Sequence, residues 1–252
     1  MQVNQIQKIK VKKNTFILTI NNKDYPIDSY YYECVLPYEG KVLDVSQMLE
    51  MIAFSSAIVP LNKIYSKIFN HSLSTYEVKE KLKQQNILEN HIKLILQFLK
   101  KEGHLNDNDF ISYHQEIYEQ KKGKNAFKNF LIQKHIAPSS IDKAMETFQE
   151  NEEYAYLYAQ KYLEKKVASN AMKKQLILAN LIHKGYSQKT IQNVLYQLTF
   201  QNEEENLRKE IQKYIKKYSQ DSYKIISKLA NKGYNVKEIK RILKEERLSN
   251  ED

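Results

Sequence analysis

Apolar residues recur through most of this chain at helical spacing, and one eleven-residue pattern organises them. Leu181 to Ile191 reads LIHKGYSQKTI. Leu181 and Ile182 close an apolar helical face, and Gly185 takes the turn, where a residue without Cβ adopts the left-handed conformation at little cost. Tyr186 supplies the apolar contact after such a turn, Ser187 can cap the next helix, and Ile191 is that helix's first inward position. The pattern returns at Leu82 to Ile92 (LKQQNILENHI), Leu131 to Ile141 (LIQKHIAPSSI) and Leu229 to Ile239 (LANKGYNVKEI). The turn positions are Asn86, His135, Gly185 and Gly233, all types that tolerate the left-handed region, and each is followed by an apolar residue. A recurrence about every 50 residues signals a repeat array.

Each repeat reads as three helices. The predicted spans are 61–70, 74–85 and 89–102; 107–121, 124–134 and 138–149; 152–166, 169–184 and 188–199; and 203–218, 220–232 and 236–247. The third helix of every unit carries a helical-period apolar face, such as Ile92, Leu96 and Leu99 in the first and Ile239, Ile242 and Leu243 in the fourth. One unit buries little alone, so neighbours are expected to share cores. The organisation expected is an N-terminal extension over 1–60 and repeats over 61–103, 104–150, 151–201 and 202–252.

Residues 5 to 28 follow another period. Ile9 and Val11 alternate with Lys8, Lys10 and Lys12, and Phe16–Ile20 and Tyr25–Ile27 are further β-prone runs. Lys13-Asn14 and Asn21-Asn22-Lys23 are turn material, so a three-stranded antiparallel meander is predicted. Tyr30 to Leu36 supplies a short helix to cover it, and Asp44 or Ser46 starts another helix running to Ala57. Pro60 is expected to bend or end what precedes it. The fold class is therefore mainly α: tandem three-helix repeats in an elongated curved array, with a small N-terminal antiparallel sheet.

Composition supports helix, with only five Gly and four Pro in 252 residues. The formal charge of +10 suits a polyanionic partner. Cys34 is the only cysteine, which excludes an internal disulfide and suggests a reducing compartment. The start, MQVNQIQKIKVKK, lacks a signal peptide's apolar segment, and no apolar run approaches membrane-spanning length. A soluble cytoplasmic protein with no membrane partner is expected, and the lack of coiled-coil heptads points to a monomer.

Signals for catalysis are weak. There is no Walker loop, GxGxxG, GxSxG, HExxH or CxxC, and the six histidines lack metal-ligand spacing, so no cofactor is expected. Asp107 and Asp109 in GHLNDNDF could in principle hold a metal for a nuclease, but nothing completes a calcium loop and helix capping explains them better. The basic residues say more. Lys121, Lys122, Lys124, Lys128 and Lys134 occur between 121 and 141 without one carboxylate. Lys165, Lys166, Lys173 and Lys174 flank the equivalent junction one repeat later, and Arg208, Lys209, Lys213, Lys216, Lys217 and Lys224 lie near the next. If the repeats stack, these clusters form a stripe that can track phosphates or an acidic protein groove.

These residues resemble the RecX family, regulators of the recombinase RecA. The likeness rests on the L-x-x-K-G-Φ turns at Leu181–Tyr186 and Leu229–Tyr234, and on Gly103–Phe110 as the junction between first and second repeats. It rests also on Lys122-Gly123-Lys124 followed by Leu131–Ile136. Two departures stand out. The first repeat keeps Ser74 and Glu77 of the family's opening segment but none of its arginines, and His135 replaces a turn glycine. The resemblance implies a non-enzymatic protein that binds RecA filaments on single-stranded DNA and inhibits or modulates the recombinase. Lys121, Lys122, Lys124, Lys128, Lys165, Lys166, Lys173 and Lys174 are the candidate contacts with filament or phosphate. Direct binding of single- or double-stranded DNA through the same basic face is the alternative.

Overall fold

A computed structural model describes residues 4–13, 15–165, 168–218 and 221–248. Asn14 and Lys166, singled out above, lie outside the described residues, as does the side chain of Lys165. The chain opens with β1 (Ile6–Lys12), β2 (Thr15–Ile20) and β3 (Lys23–Asp28), a three-stranded antiparallel sheet in sequential order. Leu18 faces Ile9 and Tyr25, and Phe16 faces Val11 and Ile27, so these residues share one face. An irregularity between Ile6 and Lys8 lets both Ile6 and Ile9 point inward although they are three residues apart. The helix α1 (Ser29–Val35) follows directly, capped by Asp28, and ends at Leu36 with φ +44°.

The tyrosine run at 30–32 is packed against the sheet and its neighbours. Tyr31 is buried and stacks on Phe54, Tyr32 stacks on Phe16 at 3.6 Å, and Tyr30 lies against Tyr65 and Phe69. The helix α2 (Val45–Ser56) starts with a capping box between Asp44 and Gln47. The helix α2 ends at Ser56, whose carbonyl a continuous helix would pair with the N–H that Pro60 lacks, and Pro60 lies in the first turn of α3 (Ile58–Phe69), where that missing N–H costs no intrahelical bond. That helix therefore starts three residues earlier than the predicted 61.

The remaining elements are α4 (Thr75–Lys83), α5 (Glu89–Lys101), α6 (Asp107–Lys121), α7 (Lys124–Gln133), α8 (Pro138–Thr147), α9 (Glu152–Lys165), α10 (Asn170–His183), α11 (Gln188–Gln197), α12 (Glu203–Tyr218), α13 (Ser222–Ala230) and α14 (Val236–Leu248). From α3 onward these fall at the expected places of four three-helix groups. All four turn residues are left-handed: Asn86 at φ +57°, His135 at +55°, Gly185 at +82° and Gly233 at +83°. Each turn closes with the same pair of backbone bonds, as in Tyr186 N to Leu181 O (3.1 Å) and Gly185 N to Ile182 O (2.8 Å).

The chain divides into two compact units, residues 1–116 with 130–146, and residues 117–129 with 147–252. In the first, the sheet, α1 to α5 and Leu105 share a core that includes Ile20, Ile27, Phe54, Leu61, Leu82, Ile92, Ile95 and Leu99. In the second, Ala155, Ala159, Ile177, Leu181, Tyr186, Ile191 and Val194 form one cluster, and Leu207, Ile211, Ile225, Leu229, Ile239 and Ile242 another. Each fully buried aliphatic side chain stabilises by roughly 1.5–3 kcal/mol relative to exposure. The acidic break before the fourth group is the start of α12, where Glu203, Glu204 and Glu205 face the positive end of the helix.

Candidate partner-binding face and the junctions that position it

The first three helical groups each join the next through one recurring device. The middle helix of a group begins at Ser74, Gly123 or Ser169, just outside α4, α7 and α10. A donor at each of these positions bonds the carbonyl of the lysine that precedes the next group's turn residue. Gly123 N donates to Lys184 O and Ser169 N to Lys232 O, both at 3.0 Å. At the turn carrying His135, the Ser74 hydroxyl donates instead to Lys134 O at 3.2 Å. The Ser74 backbone N–H is occupied by Glu77 in a capping box.

An acidic side chain at the start of the next group, or just before it, completes each junction. Asp107 accepts from Thr75 N (2.8 Å), Glu150 from Lys124 N (2.8 Å) and Glu203 from Asn170 N (3.2 Å). Each carboxylate thus satisfies an otherwise unpaired N–H at the positive end of a middle helix. Asp107 thus caps α4. Among the described residues, no group of three or more His, Cys, Asp or Glu side chains could hold a metal ion. Glu150 also accepts from Ser187 N (2.8 Å) and Ser187 Oγ (2.6 Å). Burial pushes its carboxyl up, but the bonds from Ser187, Thr190 and Lys124 outweigh burial and hold it below the usual carboxylate range.

The lysines of the turn motif are engaged in the fold. Lys134 pairs with Glu77 at 2.6 Å and lies over Phe130; Lys184 lies 4.2 Å from the Tyr158 ring centroid; Lys232 pairs with Glu210 and lies over Tyr214. The carbonyl of each of these lysines serves the junction, while the ammonium reaches across it only at Lys134 and packs within its own group at Lys184 and Lys232.

The candidate contacts sort differently. Lys121 ends α6 and Lys122 follows it, Lys124 and Lys128 lie on α7, and Lys174 on α10; apart from half-buried Lys124, all are exposed. None of these five enters an ion pair among the described residues, although Lys122 lies 5.2 Å from the Tyr118 ring and Lys174 4.9 Å from that of Phe200. Lys165 ends α9. Lys173 is only 8% exposed and lines a recess with Leu163, Asn206, Glu210 and Tyr234, so it does not share the exposed character of Lys174.

The fourth group spends part of its basic charge internally. Arg208 bridges Glu204 (2.8 Å), Glu245 (2.6 Å) and Glu246 (3.3 Å), and Arg241 bridges Glu245 (2.9 Å) and Glu204 (3.2 Å). Lys209 pairs with Glu205 and Lys224 with Asp221. Sequence reading placed Arg208, Lys209 and Lys224 with the other basic residues because carboxylates one turn or two helices away are not visible as neighbours in one dimension. No helix among the described residues is long and apolar enough to cross a membrane.

No protein-family model matches the chain. Among curated proteins it is similar to the regulatory protein RecX of Staphylococcus haemolyticus, 25% identical over 170 residues, covering 66% of this chain and 64% of that protein. It is 26% identical over 220 residues to the regulatory protein RecX of Clostridium acetobutylicum, covering 80% of this chain and all of that protein. The Bacillus licheniformis protein of the same name is 29% identical over 171 residues, covering 66% and 65%. The chain thus spans just under two thirds of the staphylococcal and Bacillus proteins it matches. A crystal structure of regulatory protein RecX aligns with a TM-score of 0.56 over 77% of this chain and 99% of that one, at 19% identity, a likeness of fold.

Proposed function

We propose that this chain, which belongs to the RecX family, is a cytoplasmic regulatory protein that binds RecA filaments on single-stranded DNA and inhibits or modulates the recombinase without catalysis of its own. The observation that carries the reading is the set of exposed lysines at the α6–α7 junction and on α10 that form no ion pair among the described residues. Lys121, Lys122, Lys128 and Lys174 hold exposed charge that their own carboxylates leave uncompensated. A filament groove in which acidic protein surface and DNA phosphate lie together would neutralise it. Contacts spread over more than one filament subunit gain by multivalency. Attraction of this kind speeds docking and weakens with salt, since charges are screened over about 8 Å at physiological ionic strength.

The test is ATP hydrolysis by the cognate RecA on single-stranded DNA, titrated with the wild-type chain and with a Lys121→Glu/Lys122→Glu/Lys128→Glu/Lys174→Glu variant. The wild type is expected to lower the rate at well below one molecule per RecA, and the variant to lose that effect while keeping native helicity by circular dichroism. Unchanged inhibition by the variant would remove this face from the interaction. Inhibition only at saturating protein, matched by equally tight binding to bare DNA, would favour the direct DNA-binding reading, for which the same uncompensated lysines speak.

A further inference from the structure

The repeats leave the N-terminal sheet without a role, and its two faces are chemically opposite. One carries Ile9, Phe16, Leu18, Ile20, Tyr25 and Ile27 toward the core shared with α1 to α5. The register fixes what lies on the other. Lys8 pairs with Thr19, Lys10 with Ile17 and Lys12 with Thr15. On β3, Asp24 and Pro26 continue the rows of Thr19 and Ile17. Lys8, Lys10 and Lys12 are all exposed, and none forms an ion pair among the described residues. Two carboxylates lie in these rows: Asp24 accepts from the Thr19 hydroxyl at 2.7 Å, and Asp28, opposite Thr15, is buried and accepts from Tyr31 N and the Tyr65 hydroxyl.

We propose that this outward face, led by the lysine ladder Lys8, Lys10 and Lys12, is a contact for the phosphate backbone of single-stranded nucleic acid, separate from the repeat lysines. Alternate residues of a strand stand roughly 6.7 Å apart on one face. Three ammonium groups in that row form a linear cation array, and the hydroxyl of Thr15 stands beside it as a hydrogen-bond donor of the kind phosphates accept. The face lacks what a protein partner would need. Ile17 and Pro26 are its apolar members, and no aromatic side chain lies in these rows to fill a pocket.

Lysines on an edge strand can also serve to prevent strand pairing. Here the edge of β1 is already covered along its first half. Ile6 N donates to Lys41 O and Gly40 N to Ile6 O, and Ile9 N donates to the Glu39 carboxylate. Lys8 therefore stands where pairing is already blocked, and edge protection does not account for it.

The inference goes beyond filament regulation and is tested without the recombinase. The full chain and a Lys8→Gln/Lys10→Gln/Lys12→Gln variant are titrated against a labelled oligothymidylate by fluorescence anisotropy at several NaCl concentrations. Each phosphate neutralised on a single strand contributes about −0.7 to the slope of log K against log salt, so loss of three contacts should flatten the slope by about 2. Between 50 and 200 mM NaCl the wild type should therefore lose roughly 20-fold more affinity than the variant. A Lys8→Arg/Lys10→Arg/Lys12→Arg variant, with the charge kept, should restore the wild-type slope. The proposal is overturned if the Gln variant binds with the wild-type slope, or if the wild type does not bind the oligonucleotide. It is overturned too if the Gln variant loses only inhibition of the filament, which would assign the ladder to a protein surface.

Discussion

Three glycines separate the two demands that a turn and a docking contact place on one residue. Gly185 has φ +82°, and a Cβ there would lie 2.3 Å from Ala126 N. Gly103 has φ +77°, but a Cβ would meet nothing within 4 Å. A Cβ on Gly123, at ordinary φ, would lie 2.2 Å from Tyr186 Cα and N. Gly103→Ala should therefore show the left-handed penalty alone, about 1–2 kcal/mol. Gly123→Ala should show the overlap alone, which forces rigid backbone apart and costs about 1–3 kcal/mol, as for overpacked interiors. Gly185→Ala combines both and should cost about 2–5 kcal/mol, while Gly123 N to Lys184 O and Asn125 N to Gly185 O (2.9 Å) lengthen or break.

Urea unfolding followed by circular dichroism measures all three, with amide hydrogen exchange at Gly123 and Asn125 reporting the junction itself. The order expected is Gly185→Ala the worst, with loss of exchange protection at 123 and 125 in Gly123→Ala and Gly185→Ala but not in Gly103→Ala. Equal cost for Gly103→Ala and Gly185→Ala, with protection intact in both, would refute the reasoning that the turn is held to glycine by close approach as well as by φ. His135 marks the limit of the rule. Its turn carries a Cβ at φ +55° and meets the preceding group through the Ser74 hydroxyl instead of a backbone N–H.

Two carboxyls, half-buried Glu150 and buried Asp28, should respond to pH in opposite directions. Glu150 is held below its ordinary range when folded, so its contribution is present above the unfolded value and is lost as pH falls through the folded one; Glu150→Gln should cost about 2 kcal/mol at pH 7 and flatten the acid limb of the stability profile. Asp28 is raised by burial, only partly offset by bonds from Tyr31 N and the Tyr65 hydroxyl, so its ionisation costs stability as pH rises toward its folded value. Tyr65→Phe strips one acceptor bond from this buried group and should destabilise by about 1–3 kcal/mol in urea titrations at pH 7, with a smaller loss at pH 4, where more of Asp28 is protonated.

The helices, the sheet and the turns were legible in the sequence because their determinants are local. Period two over Lys8 to Lys12 and helical period elsewhere state which face is inward, and Asn, His and Gly at one recurring position state where φ turns positive. Pro60 marks a helix break as expected, but the new helix begins at Ile58 rather than after the proline, because in the first turn its missing N–H has no partner to lose. The site was legible only in part. A lysine's charge is written in the sequence, but its compensation is not. Lys128 and Lys134 sit on the same stretch, yet Lys134 lies within 2.6 Å of Glu77, 57 residues earlier, while Lys128 forms no ion pair among the described residues. Lys173 and Lys174 are adjacent, and helical geometry turns one inward and the other out. Asp107, Glu150 and Glu203 cap earlier helices from 26 to 33 residues away. Sequence alone determined the elements and their order, since those follow from neighbours a few residues apart. Only the tertiary structure decided which charges are spent inside the fold and which remain for a partner, because that depends on distances between groups that the chain brings together only when packed.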